Sequence, residues 1–283
     1  MPSEPILRFA PSPNGFLHLG HAYSALVVDR WANQLGGNWL LRIEDIDEGR
    51  SKPAFVEAIF EDLHWLGLKW PEPVLKQSVR QAAYKRAAAQ LDALGLLYPC
   101  FCSRTDIRDA SNGQTDPDGA PIYPGTCKAL SKEEISHNLR QNQPVQYRLD
   151  VGKALEKTGM LTFTTVQPTP LDRPEITYAR PQRWGDTVIQ RKDTPTSYHL
   201  SVVVDDAHQN ITHVVRGRDL EAVTDIHVLL QFLLSLPTPL YTFHKLILDD
   251  EKSKLSKSRG STTLRDLREK GWTAQTVRAH LGI

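Results

Sequence analysis

Two short motifs near opposite ends of the chain constrain its fold more than any other feature. The first occupies residues 11–21 (PSPNGFLHLGH), and the second occupies residues 254–258 (KLSKS). The first motif follows a short apolar stretch and runs into a helical pattern, which indicates a strand–loop–helix segment. A site that uses both motifs requires distant strands to end at one edge of a sheet, as they do in parallel α/β folds.

The apolar pattern supports an α/β fold with a doubly wound parallel sheet. Residues 6–9 and 38–43 are predicted strands, and residues 18–35 between them are a predicted helix that ends at a glycine pair. A strand, helix and strand in this order predict a parallel strand pair. Further strands are expected near residues 74–75, 145–150, 161–166, 202–204 and 212–215, and further helices near 54–66, 80–96, 221–234, 264–270 and 273–281.

Composition excludes some classes of protein. Apolar residues make up 40% and charged residues 24% of the chain, as in ordinary globular proteins. The formal net charge of +1 argues against a surface coated with positive charge for long nucleic acids, although it allows a local basic contact. The N-terminus lacks a signal-peptide pattern, and the apolar run at 228–236 is too short to cross a bilayer about 30 Å thick. We therefore expect a cytoplasmic protein without a membrane partner.

The two motifs suit the activation of a carboxylate by ATP. A helix N-terminus presents backbone N–H groups and a positive dipole to phosphate. His18 and His21 lie on one face of that helix start and can donate to phosphate oxygens, while Gly20 leaves room for a flat base or ribose. Lys257, with Lys254 beside it, can stabilise the charge that develops on the phosphates, and one such contact lowers the barrier by about 3–4 kcal/mol.

These residues define the first set of predictions. The predicted catalytic residues are His18, His21, Lys254 and Lys257, and the predicted ATP-binding residues are His18, Gly20, His21 and Lys257. Mg²⁺ is expected with ATP, because phosphates can carry it without a dedicated protein cage. The alternative interpretation is a capping histidine at a helix start and an unrelated solvated basic loop.

The combined motifs resemble those of the class I aminoacyl-tRNA synthetases, and within them the glutamyl branch. Residues 18–21 match the first signature of that family, and residues 254–258 match the second. Residues 8–13, 41–47 and 215–217 resemble stretches specific to glutamyl enzymes. The resemblance covers nearly the whole chain and implies a Rossmann-like catalytic domain that forms glutamyl-adenylate from ATP and glutamate.

Glutamate has two carboxylates and an ammonium, so a selective site needs a guanidinium and an anion. Arg8 and Arg216 are the cationic candidates, and Glu44 is the candidate acceptor for the ammonium. The resemblance implies glutamate-binding roles for Arg8, Ala10, Ser12, Glu44, Tyr198 and Arg216. Surface ion pairs among Arg8, Arg42, Glu44 and Asp45 are the structural alternative.

One position departs from the pattern of the glutamyl branch. Val202 stands where full-length glutamyl enzymes typically have asparagine, four residues after the tyrosine that matches Tyr198. Because valine cannot hydrogen-bond to the substrate, we expect weaker glutamate affinity, by roughly 1 kcal/mol.

The pattern of periodic apolar residues fails between residues 100 and 139, which predicts an insertion with little core of its own. Cys100, Cys102 and Cys127 lie in this stretch, one thiol short of a four-cysteine zinc site. A structural zinc ion, one per chain, can hold such a segment. His137 is the ordinary fourth ligand, whereas the resemblance implies Tyr123; three buried, unpaired cysteines are the remaining alternative.

The sequence ends at Ile283, about 25 residues after Ser258. We therefore expect no anticodon-binding domain. The predicted division is the first half of the catalytic domain at 1–98, a zinc-binding insertion at 99–145, the remainder of the insertion and the second half of the catalytic domain at 146–240, and the second motif with a helical tail at 241–283.

This organisation resembles a truncated branch of the glutamyl family. The resemblance implies an enzyme that activates glutamate without tRNA and transfers it to queuosine in the anticodon of tRNA(Asp), rather than to a tRNA 3′ end. We expect it to be a monomer. Three alternatives stay open: a minimal synthetase that charges the 3′ end, another nucleotidyltransferase, and a non-catalytic tRNA-binding paralogue. The last would be expected to have lost His18, His21 or Lys257, and all three are present.

Overall fold

The computed structural model describes residues 4–166, 173–247 and 262–283. The strands in these ranges are β1 (Ile6–Phe9), β2 (Asn38–Ile43), β3 (Leu75–Lys76), β4 (Leu97–Cys100), β5 (Gln146–Leu149), β6 (Thr162–Thr165), β7 (Glu175–Tyr178), β8 (Val188–Gln190), β9 (His213–Gly217) and β10 (Leu240–His244). The helices are α1 (Leu19–Leu35), α2 (Pro53–Trp65), α3 (Gln81–Ala93), α4 (Arg104–Ala110), α5 (Lys132–Arg140), α6 (Val151–Thr158), α7 (Tyr198–His208), α8 (Thr224–Leu233), α9 (Leu264–Glu269) and α10 (Ala274–Leu281).

The N-terminal strands form one half of the main sheet. β1 pairs in parallel with β2, with Ile6 opposite Asn38, and β3 pairs in parallel with the far side of β2. Helix α1 connects β1 to β2 and ends at Gly36, whose φ of 65° favours glycine because a side chain would be strained there. The predicted strand–helix–strand unit is therefore confirmed.

The other half of the sheet joins this one edge to edge. β10 pairs in parallel with β9 and β6, and β7 adds an antiparallel edge. The Thr212 N–H donates to the Ile6 carbonyl at 2.9 Å, so β9 lies beside β1. The spatial order is β3-β2-β1-β9-β10-β6-β7, and the chain winds outward on both sides of the β1–β9 boundary. In doubly wound sheets, ligands bind outside the carboxyl ends of the strands at such a boundary.

A second, antiparallel sheet consists of β4, β5 and β8. The segment between β4 and β5 carries α4 and α5, neither of which has a buried residue. Its interior is a small cluster of Cys100, Tyr123 and Cys127. The segment thus has little apolar core, as the sequence predicted.

The C-terminal helices α9 and α10 pack onto the first half of the fold. Leu264 and Leu267 of α9 and Val277 and Leu281 of α10 are buried in the same apolar core as α1 and β2. Arg268 Nη2 also donates to the Asp62 carboxylate of α2 at 2.8 Å. Among the described residues, no helix has the length and apolar character needed to cross a bilayer.

The predicted strand at 202–204 is wrong, because these residues lie within α7. Three consecutive valines favour a strand through their branched side chains. Ser197 instead caps a helix by accepting from the Leu200 N–H, and the helical period buries Val202 and Val203 against the core. Burial on one helical face outweighs the local preference.

Candidate functional site

A cleft of about 1160 Å³ opens at the carboxyl ends of β1, β2, β9 and β10. It lies at the β1–β9 boundary, where the topology of the sheet places a ligand site. Its lining includes all the predicted glutamate-binding residues and the predicted ATP-binding residues of the first motif, which are Arg8, Ala10, Ser12, His18, Gly20, His21, Glu44, Tyr198 and Arg216. The fold therefore brings these residues together from distant parts of the sequence.

His18 and His21 cap the start of α1 reciprocally. The His18 side chain accepts from the Gly20 N–H at 3.1 Å, and the His21 side chain accepts from the His18 N–H at 3.2 Å. Both bonds use Nδ1 as the acceptor, so a neutral ring carries its proton on Nε2. Capping thus fixes the tautomer that can donate to phosphate, and the capping and phosphate-binding interpretations are compatible.

Gly20 has a structural reason to be glycine. A Cβ atom at this position would stand 3.0 Å from Cε1 and 3.1 Å from Nδ1 of His18. At these distances the imidazole would have to shift by a few tenths of an ångström from its place over the helix start. The glycine therefore makes room for the capping ring of His18, a contact that the sequence does not reveal.

The second motif falls outside the described residues, so Lys254 and Lys257 have no described position. The residues on either side of the undescribed segment 248–261 do have positions: Ile247 and Thr263 both line the cleft. The Leu264 N–H also donates to the Leu17 carbonyl at 2.8 Å, next to the first motif.

A buried charge network forms one wall of the cleft. Asp206 on α7 accepts from Nε of Arg8 at 3.0 Å and pairs with Nη1 of Arg42 at 2.8 Å. Arg42 also pairs with Glu44 at 3.4 Å. Arg8 is 5% and Arg42 0% exposed, so the alternative interpretation of these residues as surface ion pairs is wrong. The network is buried because Asp206, which was not predicted from the sequence, supplies the neutralising charge.

Burial also sets the protonation of groups that face a ligand. It raises the pKa of Glu44, while the nearby Arg42 and Arg8 oppose that rise. It likewise raises the pKa of Tyr198, so the phenol keeps its proton and can donate a hydrogen bond. Val202, one turn further along α7, is 1% exposed and packs in the apolar core.

Arg216, at the end of β9, has a different environment from Arg8. It is 4% exposed, and its hydrogen-bond partners are Thr224 Oγ1 at 2.6 Å and His227 Nδ1 at 3.2 Å. Its Nε has no hydrogen-bond partner among the described residues. Burial and the neighbouring Arg216 hold the pKa of His227 well below its usual value, so both partners are neutral. Thr224 and His227 belong to no motif and were not predicted from the sequence.

Three thiols converge away from the cleft. The Sγ atoms of Cys100, Cys102 and Cys127 lie within 4.8 Å of one another, and the Tyr123 hydroxyl lies 3.9 Å from the Cys102 Sγ. In the described part of the chain, His137 is not a member of this group.

The Cys100 thiol ionises more readily than an ordinary cysteine. Burial opposes its ionisation, but hydrogen bonds from Tyr123, Arg148 and Gln146 outweigh that effect and lower its pKa to about 7. This donor set suits a soft or borderline metal ion.

Comparisons with known proteins agree with this geometry. Residues 6–282 match the family model of class I tRNA synthetases (E and Q), catalytic domain. The chain is 42% identical to the glutamyl-Q tRNA(Asp) synthetase of Rhodobacter capsulatus, over 98% of this chain and 100% of that protein. It is 36% identical to glutamate–tRNA ligase 2 of Koribacter versatilis, over 99% of this chain and 57% of that protein.

A solved structure of a glutamate tRNA ligase has a similar fold. The glutamate tRNA ligase of Elizabethkingia meningosepticum, in complex with its amino acid, superposes with a TM-score of 0.70 at 26% identity. The match covers 95% of this chain and 54% of that ligase, so the chain spans about half of its length. The Rossmann-like parallel sheet, the cleft and these relatives together show that the chain belongs to the catalytic-domain family of class I tRNA synthetases for glutamate and glutamine.

Proposed function

We propose that this chain activates L-glutamate with ATP, without tRNA, and then transfers the glutamyl group to queuosine in the anticodon of tRNA(Asp). The observation that carries the first step is Arg216, a buried guanidinium without a carboxylate partner among the described residues, in the same cleft as the helix start at His18. A buried charge without a counter-ion is costly, and an anionic ligand would offset that cost.

Adenylation requires no protein nucleophile. A carboxylate oxygen of glutamate attacks the α-phosphorus of ATP, and pyrophosphate leaves; positioning and charge stabilisation then account for the catalysis. His18 and His21 donate from Nε2 to phosphate oxygens, Glu44 accepts from the substrate ammonium, and Arg216 binds a carboxylate. Ala10, Ser12 and Tyr198 line the amino-acid end of the cleft.

Lys257, with Lys254, acts on the phosphates in this proposal. The support is the position of the flanking residues: Ile247, before the undescribed segment, and Thr263, after it, both line the cleft. Mg²⁺ accompanies ATP, carried by its phosphates.

The second step rests on the likeness to the relatives named glutamyl-Q tRNA(Asp) synthetase, one of which the chain matches over its full length. A hydroxyl oxygen of the modified nucleoside attacks the acyl carbon of glutamyl-adenylate, an ester forms, and AMP leaves. A stem-loop that enters the cleft needs only a local basic rim, which agrees with a net charge of +1.

A structural zinc ion in the segment 99–145 completes the proposal. Cys100, Cys102 and Cys127 would hold it, with Tyr123 as the fourth ligand because its hydroxyl adjoins the thiols. When bound, the ion supplies cross-linking of a segment with little apolar core and takes no part in the reaction.

The test is to incubate the protein with ATP, labelled glutamate and tRNA(Asp) that carries or lacks queuosine, and then to trim the tRNA 3′ end. We expect label that depends on queuosine and survives trimming. Label that is lost with the 3′ end would instead support the second candidate, a minimal glutamate–tRNA ligase, which the likeness to glutamate–tRNA ligase 2 favours. Adenylate formation without tRNA labelling would contradict both acceptors.

A further inference from the structure

The cleft contains two buried guanidiniums in opposite electrostatic situations. Arg8 shares the Asp206 carboxylate with Arg42 and is therefore largely neutralised. Arg216 makes its hydrogen bonds to Thr224 and His227, which carry no charge. The charge of Arg216 is thus less compensated than that of Arg8, although both side chains line the cleft.

Most buried or half-buried arginines of the fold follow the first arrangement rather than the second. Arg80 pairs with Asp205 at 2.6 Å, and Arg268 pairs with Asp62 at 2.8 Å. A guanidinium in a poorly solvated position is usually paired with a carboxylate, because an unpaired charge there costs free energy. The neutral environment of Arg216 sets it apart from these arginines. Arg148 is also buried without a carboxylate partner among the described residues, but it does not line the cleft.

Both neutral partners come from the first turn of α8. Thr224 and His227 stand three residues apart, so they project from one helical face toward the end of β9. Because a guanidinium only donates, the Nδ1 atom of His227 must be the acceptor, and the ring proton lies on Nε2. That Nε2 is buried without a hydrogen-bond partner among the described residues. An unpartnered buried donor costs free energy, so packing alone does not explain a histidine at this position.

We propose that Thr224 and His227 are positioning residues, which hold the Arg216 guanidinium in place without neutralising it so that it binds a glutamate carboxylate at full charge. This inference rests on the proposed glutamate activation and assigns to that site two residues outside its motifs. Its specific consequence is that a carboxylate introduced at either position would keep Arg216 in place but weaken glutamate binding.

The experiment compares variants of Thr224 by glutamate-dependent ATP–pyrophosphate exchange, with thermal unfolding as the measure of folding. Thr224→Val removes the acceptor at nearly constant volume, and we expect the KM for glutamate to rise roughly tenfold or more, as for a lost hydrogen bond to a charged group. The kcat and the KM for ATP should change little. Thr224→Asp should raise the glutamate KM further, although its unfolding temperature is maintained or increased.

His227 gives an independent pair of variants. His227→Leu removes the acceptor and should raise the glutamate KM, whereas His227→Asn keeps an oxygen near the Nδ1 position and should restore much of the affinity. Thr242→Val is the matched control. Thr242 is also buried and forms a hydrogen bond, at 2.6 Å to the Val166 carbonyl, but it does not line the cleft. It should lower the unfolding temperature and leave the glutamate KM unchanged.

The outcomes separate this inference from the proposed function. An unaltered protein without glutamate-dependent exchange would overturn the proposed function and this inference with it. An active protein in which Thr224→Asp leaves the glutamate KM unchanged would overturn the positioning role alone. Equal rises in the KM for glutamate and for ATP in the valine and leucine variants would do the same, because a general loss of structure produces that pattern.

Discussion

At the scale of single residues, Asp206 neutralises much of the positive charge at the wall of the cleft. Burial favours its neutral form, but Arg8 and Arg42 outweigh that effect and keep its pKa below the usual value. Asp206→Asn would leave both guanidiniums without their shared counter-ion. We expect the free energy of unfolding to fall by about 3–5 kcal/mol, the usual effect of removing one partner of a buried pair, measured by urea denaturation at pH 7.

The same substitution should change how stability depends on pH. A carboxyl group with a lowered folded-state pKa stabilises the fold above its unfolded pKa, and this contribution is lost as the pH falls through the folded value. The destabilisation by Asp206→Asn should therefore be largest at neutral pH and shrink toward acid pH. Asp109→Asn is the control, because Asp109 forms an exposed pair with Arg108. A loss that is the same at every pH would contradict the ionised role of Asp206.

Gly20 offers a second test, with a close counterpart elsewhere in the chain. Gly20→Ala would press on the His18 ring, while a Cβ at Gly152, also the second residue of a helix, would meet only Asp150 Oδ1 at an ordinary 3.6 Å. Since small misplacements of catalytic groups are costly, we expect Gly20→Ala to lower kcat/KM for ATP by roughly tenfold to a hundredfold. Gly152→Ala should leave it unchanged and add up to about 1 kcal/mol of stability.

Single residues also show what the sequence could not reveal. The motif around His18 predicted a nucleotide-binding helix start, because its spacing and residue types carry the chemistry locally. Asp206, Thr224 and His227 carry no motif, and their roles arise only when α7 and α8 pack beside Arg8 and Arg216. A charged pair of residues, Asp205 and Asp206, in an otherwise apolar stretch was the one signal available.

At the scale of elements, α9 anchors the segment that follows the second motif. Thr263 caps α9 by a reciprocal arrangement with Asp266, and its backbone also forms an antiparallel β-bridge to His18. Thr263→Ala should cost roughly 1 kcal/mol of stability through the lost cap. It should also raise the KM for ATP in pyrophosphate exchange, because without the cap the segment that bridges to His18 is held less firmly.

Helix α10 provides the control for this prediction. Thr273 caps it through Thr276 with the same geometry, and neither residue lines the cleft. Thr273→Ala should have a similar effect on stability and none on the KM for ATP. If both alanine variants change the KM equally, the contact between Thr263 and the first motif has no functional role.

Elements were predictable from sequence where the local signals and the tertiary contacts agree. The unit of β1, α1 and β2 has an apolar strand, a capped helix start and a glycine stop, and each signal favours the observed structure. The valines at 202–204 show the opposite case, since their preference for strand conflicts with the cap at Ser197 and with burial along α7. The order of the strands required the contact between Ile6 and Thr212, which no local pattern encodes.

At the scale of the molecule, the chain has regions of very different core size. Two large apolar clusters hold the main sheet and its helices, whereas the segment between β4 and β5 has only the cluster around Cys100, Tyr123 and Cys127. A segment of this kind depends on cross-links for its order. We therefore expect the purified protein to contain about one zinc ion per chain, measured by elemental analysis, in line with a closed four-ligand site.

Removal of the metal should therefore act locally. After treatment with a strong chelator, hydrogen exchange should accelerate between β4 and β5, while α1 and α8 in the large cores keep their protection. Tyr123→Phe should lower the metal content and reproduce this local change, because the phenol oxygen adjoins the thiols. His137→Asn should retain the metal, since His137 lies outside the thiol group of the described chain. Full retention in the Tyr123 variant, or loss in the His137 variant, would reassign the fourth ligand.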